Sequence, residues 1–173
     1  MVVRPSAVAG QFYPGDADRL RKQVVDLLAN IAMPIKNAPI ALIVPHAGYV
    51  YSGATAAAAF ATLRNGAQMI TRVVLIGPAH YVHVRGIAAP TVDAFETPLG
   101  RVPVDKSALN AIADLPFVIQ DDPAHAPEHA LEVELPFLQI LLASFRVVPL
   151  LVGDATPKEI ARVLLQLWNG RGR

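Results

Sequence analysis

At 173 residues, the chain is long enough for one domain with a sizeable buried core. It carries 15 basic and 14 acidic residues, a net charge of +1, and the basic residues are scattered, so no electrostatic footprint for nucleic acid is present. Cysteine is absent, which excludes disulfides, thiolate metal sites and cysteine nucleophiles within this sequence.

Hydrophobic residues make up 53% of the chain and the mean hydropathy is +0.39, with alanine carrying much of both. Pro45, Pro90, Pro116, Pro136 and Pro149 interrupt the apolar runs. None of these runs approaches the roughly 18–20 unbroken residues of a membrane helix. The N-terminal MVVRPSAVAGQFYPGD lacks a basic stretch leading into an apolar one, so no signal peptide is read there. A cytoplasmic protein with neither membrane nor nucleic-acid partner is the expectation.

Residues 9–15, AGQFYPG, read as an irregular segment carrying two aromatics. Asp16 or Asp18 is placed to cap a helix running to about Asn30, with Leu20, Val24, Leu27, Leu28 and Ile31 on one face. A linker, Met33–Pro39, leads into the apolar run Ile40–Val44, which predicts a buried strand ending at Pro45. The small residues of Ala54–Leu63 predict a helix able to pack closely on a sheet, stopped by Asn65-Gly66. Arg72–Ile76 predicts a second buried strand. Strand, helix and strand over about 35 residues make a βαβ unit, with a right-handed parallel crossover as the default.

Farther on, Ile87–Ala89 and Arg101–Val104 predict a smaller paired element around the Glu96–Gly100 turn. Lys106–Asp114 reads as a helix capped by Asp105, Phe117–Ile119 as a brief strand, and Gln120–Pro127 as a polar loop containing His125. EHALEVELPFLQILLASF is helical in its second half, with Pro136 kinking or opening the helix. Val147–Val152 predicts a third buried strand and Lys158–Trp168 a final helix. The fold class is therefore α/β.

Five histidines punctuate this pattern. His46 and His80 each follow a predicted strand by a few residues. Neighbouring parallel strands end about 4.8 Å apart on the same sheet edge, so both imidazoles can reach one point. Open α/β sheets bind ligands at that edge, and paired imidazoles suit Zn, Cu, Fe or Ni. The bland reading is that each caps a loop. Glu128, His129 and Glu132 form a second constellation. On a helix the two glutamates share a face, and the group supplies an acid–base pair or orients a metal-bound histidine; equally, acidic residues sit well at any helix N-terminus. His129 and Glu128 are the catalytic candidates. Tyr49 and His83 are candidate pocket residues, Tyr51 a further one, and Asp154 a carboxylate at the third strand's end. No GxGxxG, GxxxxGK[ST], GxSxG or HExxH motif occurs.

Four stretches, AGQFYPGDADRL (9–20), VPHAGYVYSG (44–53), LIGPAHYVH (75–83) and EHALEVELPFLQ (128–139), resemble in order and spacing the Memo family, whose prokaryotic members are called AmmeMemoRadiSam system protein B. The resemblance implies a parallel or mixed sheet flanked by helices, as in class III extradiol ring-cleaving dioxygenases. It also implies a metal pocket reported with iron or copper, two of whose histidines match His46 and His80, with Glu128 and His129 bordering it. Activities implied are metal-dependent redox chemistry or, alternatively, phosphopeptide binding in the same cleft, with a radical-SAM protein as a further partner.

Family members are typically some 90 residues longer, and the extra part carries further ligands. The expectation is therefore a single Memo-like domain, C-terminally truncated, with an incomplete site that holds iron or copper weakly or not at all. An uncovered sheet edge and apolar face would then favour a homo-oligomer.

Overall fold

The computed structural model describes residues 1–29, 31 and 38–169. Its main sheet holds four strands in the order β2-β7-β3-β6, where β2 is Arg72–Pro78, β3 Ile87–Ala89, β6 Val118–Gln120 and β7 Arg146–Val152. β2 and β7 run parallel over seven paired residues, from Arg72 opposite Arg146 to Pro78 opposite Val152. β3 lies antiparallel to β7 and parallel to β6, so the sheet is mixed. β7 is central, which its composition anticipates: Val147, Val148, Leu150 and Leu151 are all fully buried. A second sheet joins β1 (Val3–Arg4), β4 (Ala94–Thr97) and β5 (Gly100–Pro103) in the order β1-β4-β5.

Helix α1 (Ala17–Ala29) begins where Asp16 Oδ1 accepts the Arg19 N–H at 2.9 Å, and it buries Leu20, Val24 and Leu28. Helix α2 (Tyr49–Ala61) buries small residues, Gly53, Ala56, Ala57 and Ala61, which lets it pack closely against α1. Asp105 caps α3 (Lys106–Ile112) by accepting the Ala108 N–H. Pro136 sits in the first turn of α5 (Leu135–Leu141), where its missing N–H costs nothing, so it opens that helix rather than kinking a longer one. Helix α6 (Pro157–Asn169) seats Val163 and Leu167 in the core. Phe137, fully buried, stacks on Phe60 at 5.1 Å between ring centroids and ties α5 to α2.

Several expectations are corrected. Residues 40–44 belong to no strand, so the first βαβ unit does not form. A strand needs a ladder partner, and β2, the strand this run faces, pairs only with β7 among the described residues. Ile40 is 79% and Ile43 100% exposed, and Ile40, Ala41, Leu42 and Val44 instead line a cleft of about 590 Å³ opposite Val73–Leu75.

Ile87–Ala89 does not pair with the 101–104 run; it joins the main sheet, and the hairpin partner of Gly100–Pro103 is Ala94–Thr97. α2 starts five residues earlier than its alanine content indicates, and a 3₁₀ turn, Arg64–Met69, takes in Asn65-Gly66. The predicted polar loop holds a short helix, α4 (Asp122–His125), and His125 is buried. The Met33–Asn37 part of the predicted linker, and Asn30, lie outside the described residues. Among the described residues, no helix is long and apolar enough to cross a membrane.

Candidate metal centre

Three loops meet over the carboxyl end of β2. Pro45-His46-Ala47 precedes Gly48, the residue that starts α2. His80 stands two residues beyond β2. His129 lies in the coil between α4 and a 3₁₀ turn at Glu132–Glu134. Because 128–131 is not helical, Glu128 and Glu132 do not share a helix face as predicted. Gly77 lets the loops approach: a Cβ there would stand 2.9 Å from Leu131 Cδ2 and 3.2 Å from the Ala130 Cβ, so a larger residue would push 130–131 away from β2.

His46, His80 and His129 converge. Each offers a ring nitrogen, and the three nitrogens lie within 4.8 Å of one another. Ring centroids are 5.3 Å apart for His46–His80, 5.8 Å for His46–His129 and 4.6 Å for His80–His129, the last pair nearly stacked at 23°. Metal–imidazole bonds of about 2.0–2.1 Å hold two nitrogens at most roughly 4.2 Å apart, so shifts of a fraction of an ångström would seat one ion. The donor set fits a borderline first-row transition metal.

Glu128 orients the His80 ring and holds the backbone that carries His129. One carboxylate oxygen accepts the His80 backbone N–H at 2.6 Å; the other lies 2.9 Å from His80 Nδ1 and accepts the backbone N–H groups of His129 and Ala130, both at 2.9 Å. Burial works to raise its pKa, but the backbone and ring N–H of His80 and the N–H of Ala130 prevail and hold it below the usual carboxylate range. An ionised Glu128 fixes the proton of His80 on Nδ1 and leaves Nε2 as the free lone pair. Burial, followed by the neighbouring His80, depresses the pKa of His46; burial, against the opposing charge of Glu128 and with smaller contributions from His80 and His46, depresses that of His129. Both shifts favour the neutral ring, the state in which imidazole binds a metal. His129 Nδ1 is buried, 3.2 Å from a Glu128 oxygen but with no hydrogen bond.

A cleft of about 620 Å³ opens beside the trio, lined by Gln11, Phe12, Pro45, His46, Tyr51 and His129 among others, with no lysine or arginine in its walls among the described residues. Tyr51 is 88% exposed at its edge, and the Tyr81 ring stands 5.7 Å from that of His129. Tyr49 does not line this cleft: it is buried and its hydroxyl donates to the Val133 carbonyl at 2.7 Å. His83 is exposed, 3.4 Å from Asp154, and stands apart from the trio. Of the two roles expected for the Glu128–His129–Glu132 group, an acid–base pair or the orienting of a ligand histidine, Glu128 is placed for the second, on His80, while the His129 ring stands among the ligand-competent imidazoles. The structure also brings in Gln11 and Phe12, whose only local signal was an aromatic-bearing irregular segment.

Comparison with known proteins places the chain in a family. The family described as Memo-like protein matches residues 4–170. Curated relatives, each described as a MEMO1 family protein, include one from Ignicoccus hospitalis, 39% identical over 96% of this chain and 61% of its own length. Another, from Aquifex aeolicus, is 41% identical over 88% of this chain and 55% of its own length. A third, from Archaeoglobus fulgidus, is 36% identical over 99% of this chain and 63% of its own length. The chain therefore spans about three fifths of the length of these relatives. With a family-wide match over nearly all of its residues and the histidine-bearing motifs assembled at one sheet edge, the chain belongs to the Memo family.

Proposed function

We propose that this chain carries a three-histidine site for iron or copper, His46, His80 and His129, and serves metal-dependent redox chemistry of the dioxygenase-like kind that the Memo resemblance implies. The observation that carries the reading is the convergence of three ring nitrogens within 4.8 Å, one of them oriented by a buried carboxylate. A bound ion would supply Lewis-acid and one-electron chemistry. The protein's part is separate: Glu128 sets the His80 tautomer, burial favours the neutral rings of His46 and His129, and the adjoining cleft admits a ligand past Phe12 and Tyr51. Three imidazoles leave further coordination positions open, which accords with weak retention of the metal. Among the described residues the cleft's walls carry no lysine or arginine, the cations that recognise a phosphate, which favours the metal reading over a metal-free phosphopeptide module.

Equilibrium dialysis against Fe(II) under anaerobic conditions, or against Cu(II) in air, with metal analysis of both compartments, tests the proposal. One ion per chain is expected in the parent protein, and a loss of uptake in the His46→Ala/His80→Ala double variant. Equal uptake by both proteins would refute the site.

A further inference from the structure

Glu132 lies outside the histidine trio, yet it is fully buried and every lone-pair direction of its carboxylate is used. Oε2 accepts from Arg4 Nη1 at 2.5 Å and from the Ala7 N–H at 2.8 Å; Oε1 accepts from the Val8 N–H at 3.1 Å and from the Tyr13 hydroxyl at 2.5 Å. The remaining nitrogens of Arg4 donate to the carbonyls of His125 at 2.7 Å and Glu128 at 2.5 Å. The Arg4–Glu132 pair spans 128 residues of sequence with side chains only 3% and 0% exposed. A buried ion pair is weak as a source of stability, because desolvation offsets its attraction; what it does supply is one defined geometry.

That geometry governs residue Phe12. The segment 4–13 is stitched onto the 125–132 loop by the six bonds above, and Phe12 stands one residue before Tyr13. The Phe12 N–H donates to the Val8 carbonyl at 2.9 Å, and its own carbonyl accepts the Tyr49 N–H at 2.7 Å, three residues beyond His46. Its ring packs on His129 with centroids 4.7 Å apart. The two segments cross closely at Gly48, where a Cβ would stand in ordinary van der Waals contact, 3.4 Å from the Phe12 carbonyl oxygen. Phe12 therefore touches both the loop that carries His46 and the ring of His129.

We propose that residues 8–13, clamped by Glu132, form a brace that sets the separation of His46 and His129, with Phe12 as the positioning residue and Glu132 as its anchor. The proposal deepens the metal-site reading and rests on it for its functional meaning. Two ligands 83 residues apart in sequence, on loops that share no strand pairing, acquire a common reference in a third segment. A merely structural Phe12 would influence overall stability; a brace influences the two loops and the site.

The test uses Tyr13→Phe, which removes one of the four bonds to Glu132 without emptying core volume, and Phe12→Leu, which keeps an apolar side chain but loses the ring. Hydrogen–deuterium exchange on the metal-free proteins reads the peptides covering 46–52 and 128–131, with β7 amides as the internal control. In Tyr13→Phe, exchange at both site peptides is expected to rise roughly tenfold, the effect of losing one local hydrogen bond, while β7 keeps its protection. Cu(II) affinity is expected to fall about 10- to 100-fold in both variants, with a changed Cu(II) EPR hyperfine pattern in Phe12→Leu.

Unchanged exchange at 46–52 in Tyr13→Phe, or an equal rise in β7, would overturn the brace. Cu(II) binding and EPR identical to the parent in Phe12→Leu would overturn its positioning role. If the parent takes up no Cu(II), the metal reading fails separately, and the exchange result alone decides whether the brace exists.

Discussion

The Glu128 carboxylate grips His80 twice, accepting the backbone N–H at 2.6 Å and facing ring Nδ1 at 2.9 Å. One side chain thereby sets both the position and the tautomer of a ligand-competent histidine. Removing such a partner ordinarily weakens metal binding about 10- to 100-fold. Glu128→Gln is expected to lower Cu(II) or Fe(II) affinity by that factor, measured by competition with a chelator, while the circular dichroism spectrum stays that of the parent. Unaltered affinity would show that His80 is oriented by other means.

Glu134 presents the opposite electrostatic situation. Its side chain is buried at the wall of the 590 Å³ cleft, Oε2 has no hydrogen-bond partner among the described residues, and burial pushes its pKa up to about 8. The folded state therefore keeps a proton that the unfolded chain releases near pH 4.5. Its stabilising contribution is complete below pH 4.5 and is lost as pH rises to about 8, by up to ~1.4 kcal/mol per pH unit across that window. Denaturant titrations at several pH values should show Glu134→Gln abolishing this slope; an identical slope in the variant would assign it to another group.

His125 titrates with the reverse sign. Buried against β3, with Nε2 3.1 Å from the Ala88 carbonyl oxygen, it has a pKa lowered to about 4, burial being the main cause. The unfolded chain takes up a proton near pH 6.5 that the folded state refuses, so stability falls as pH drops from 6.5 towards 4. Relative to the parent, His125→Gln should gain stability steadily as pH drops from 6.5 towards 4, where Glu134 contributes equally to both proteins, read from thermal melts between pH 4 and 7. A variant that melts with the parent's acid dependence would contradict the assignment.

Among the described residues β2 pairs only with β7, and its other edge and the cleft beside it bear on association. Ile40 is 79% exposed and stands in the cleft wall with Leu42 and Val44 across from β2. Unpaired strand edges next to apolar surface favour pairing between chains. Sedimentation velocity over a range of concentrations is expected to show reversible self-association, shifted towards monomer by Ile40→Lys. A parent protein that stays monomeric throughout would remove this expectation.

Local pattern accounts for much of the architecture. β7 was readable because an apolar β-branched run is what a central strand requires, and α3 because Asp105 is a capping residue placed just before it. Residues 40–44 misled for a physical reason: apolarity reports a tendency to be buried, but strand formation also needs a partner for every backbone group, and pairing is non-local. The same limit applies to α2, whose alanines mark its packing face while its start at Tyr49 depends on the bond from the Tyr49 N–H to the Phe12 carbonyl.

By itself, then, the sequence determined the α/β class, the family, and His46 and His80 as a pair, since these rest on composition, periodicity and short motifs. Only the tertiary structure decided that His129 completes the trio and that Glu128 stands behind it. Tyr49 turned inward while Phe12 turned towards the site by the same means. Arg4 and Glu132 found each other across 128 residues because burial leaves a charge no other way to be satisfied, and no local pattern records that pairing.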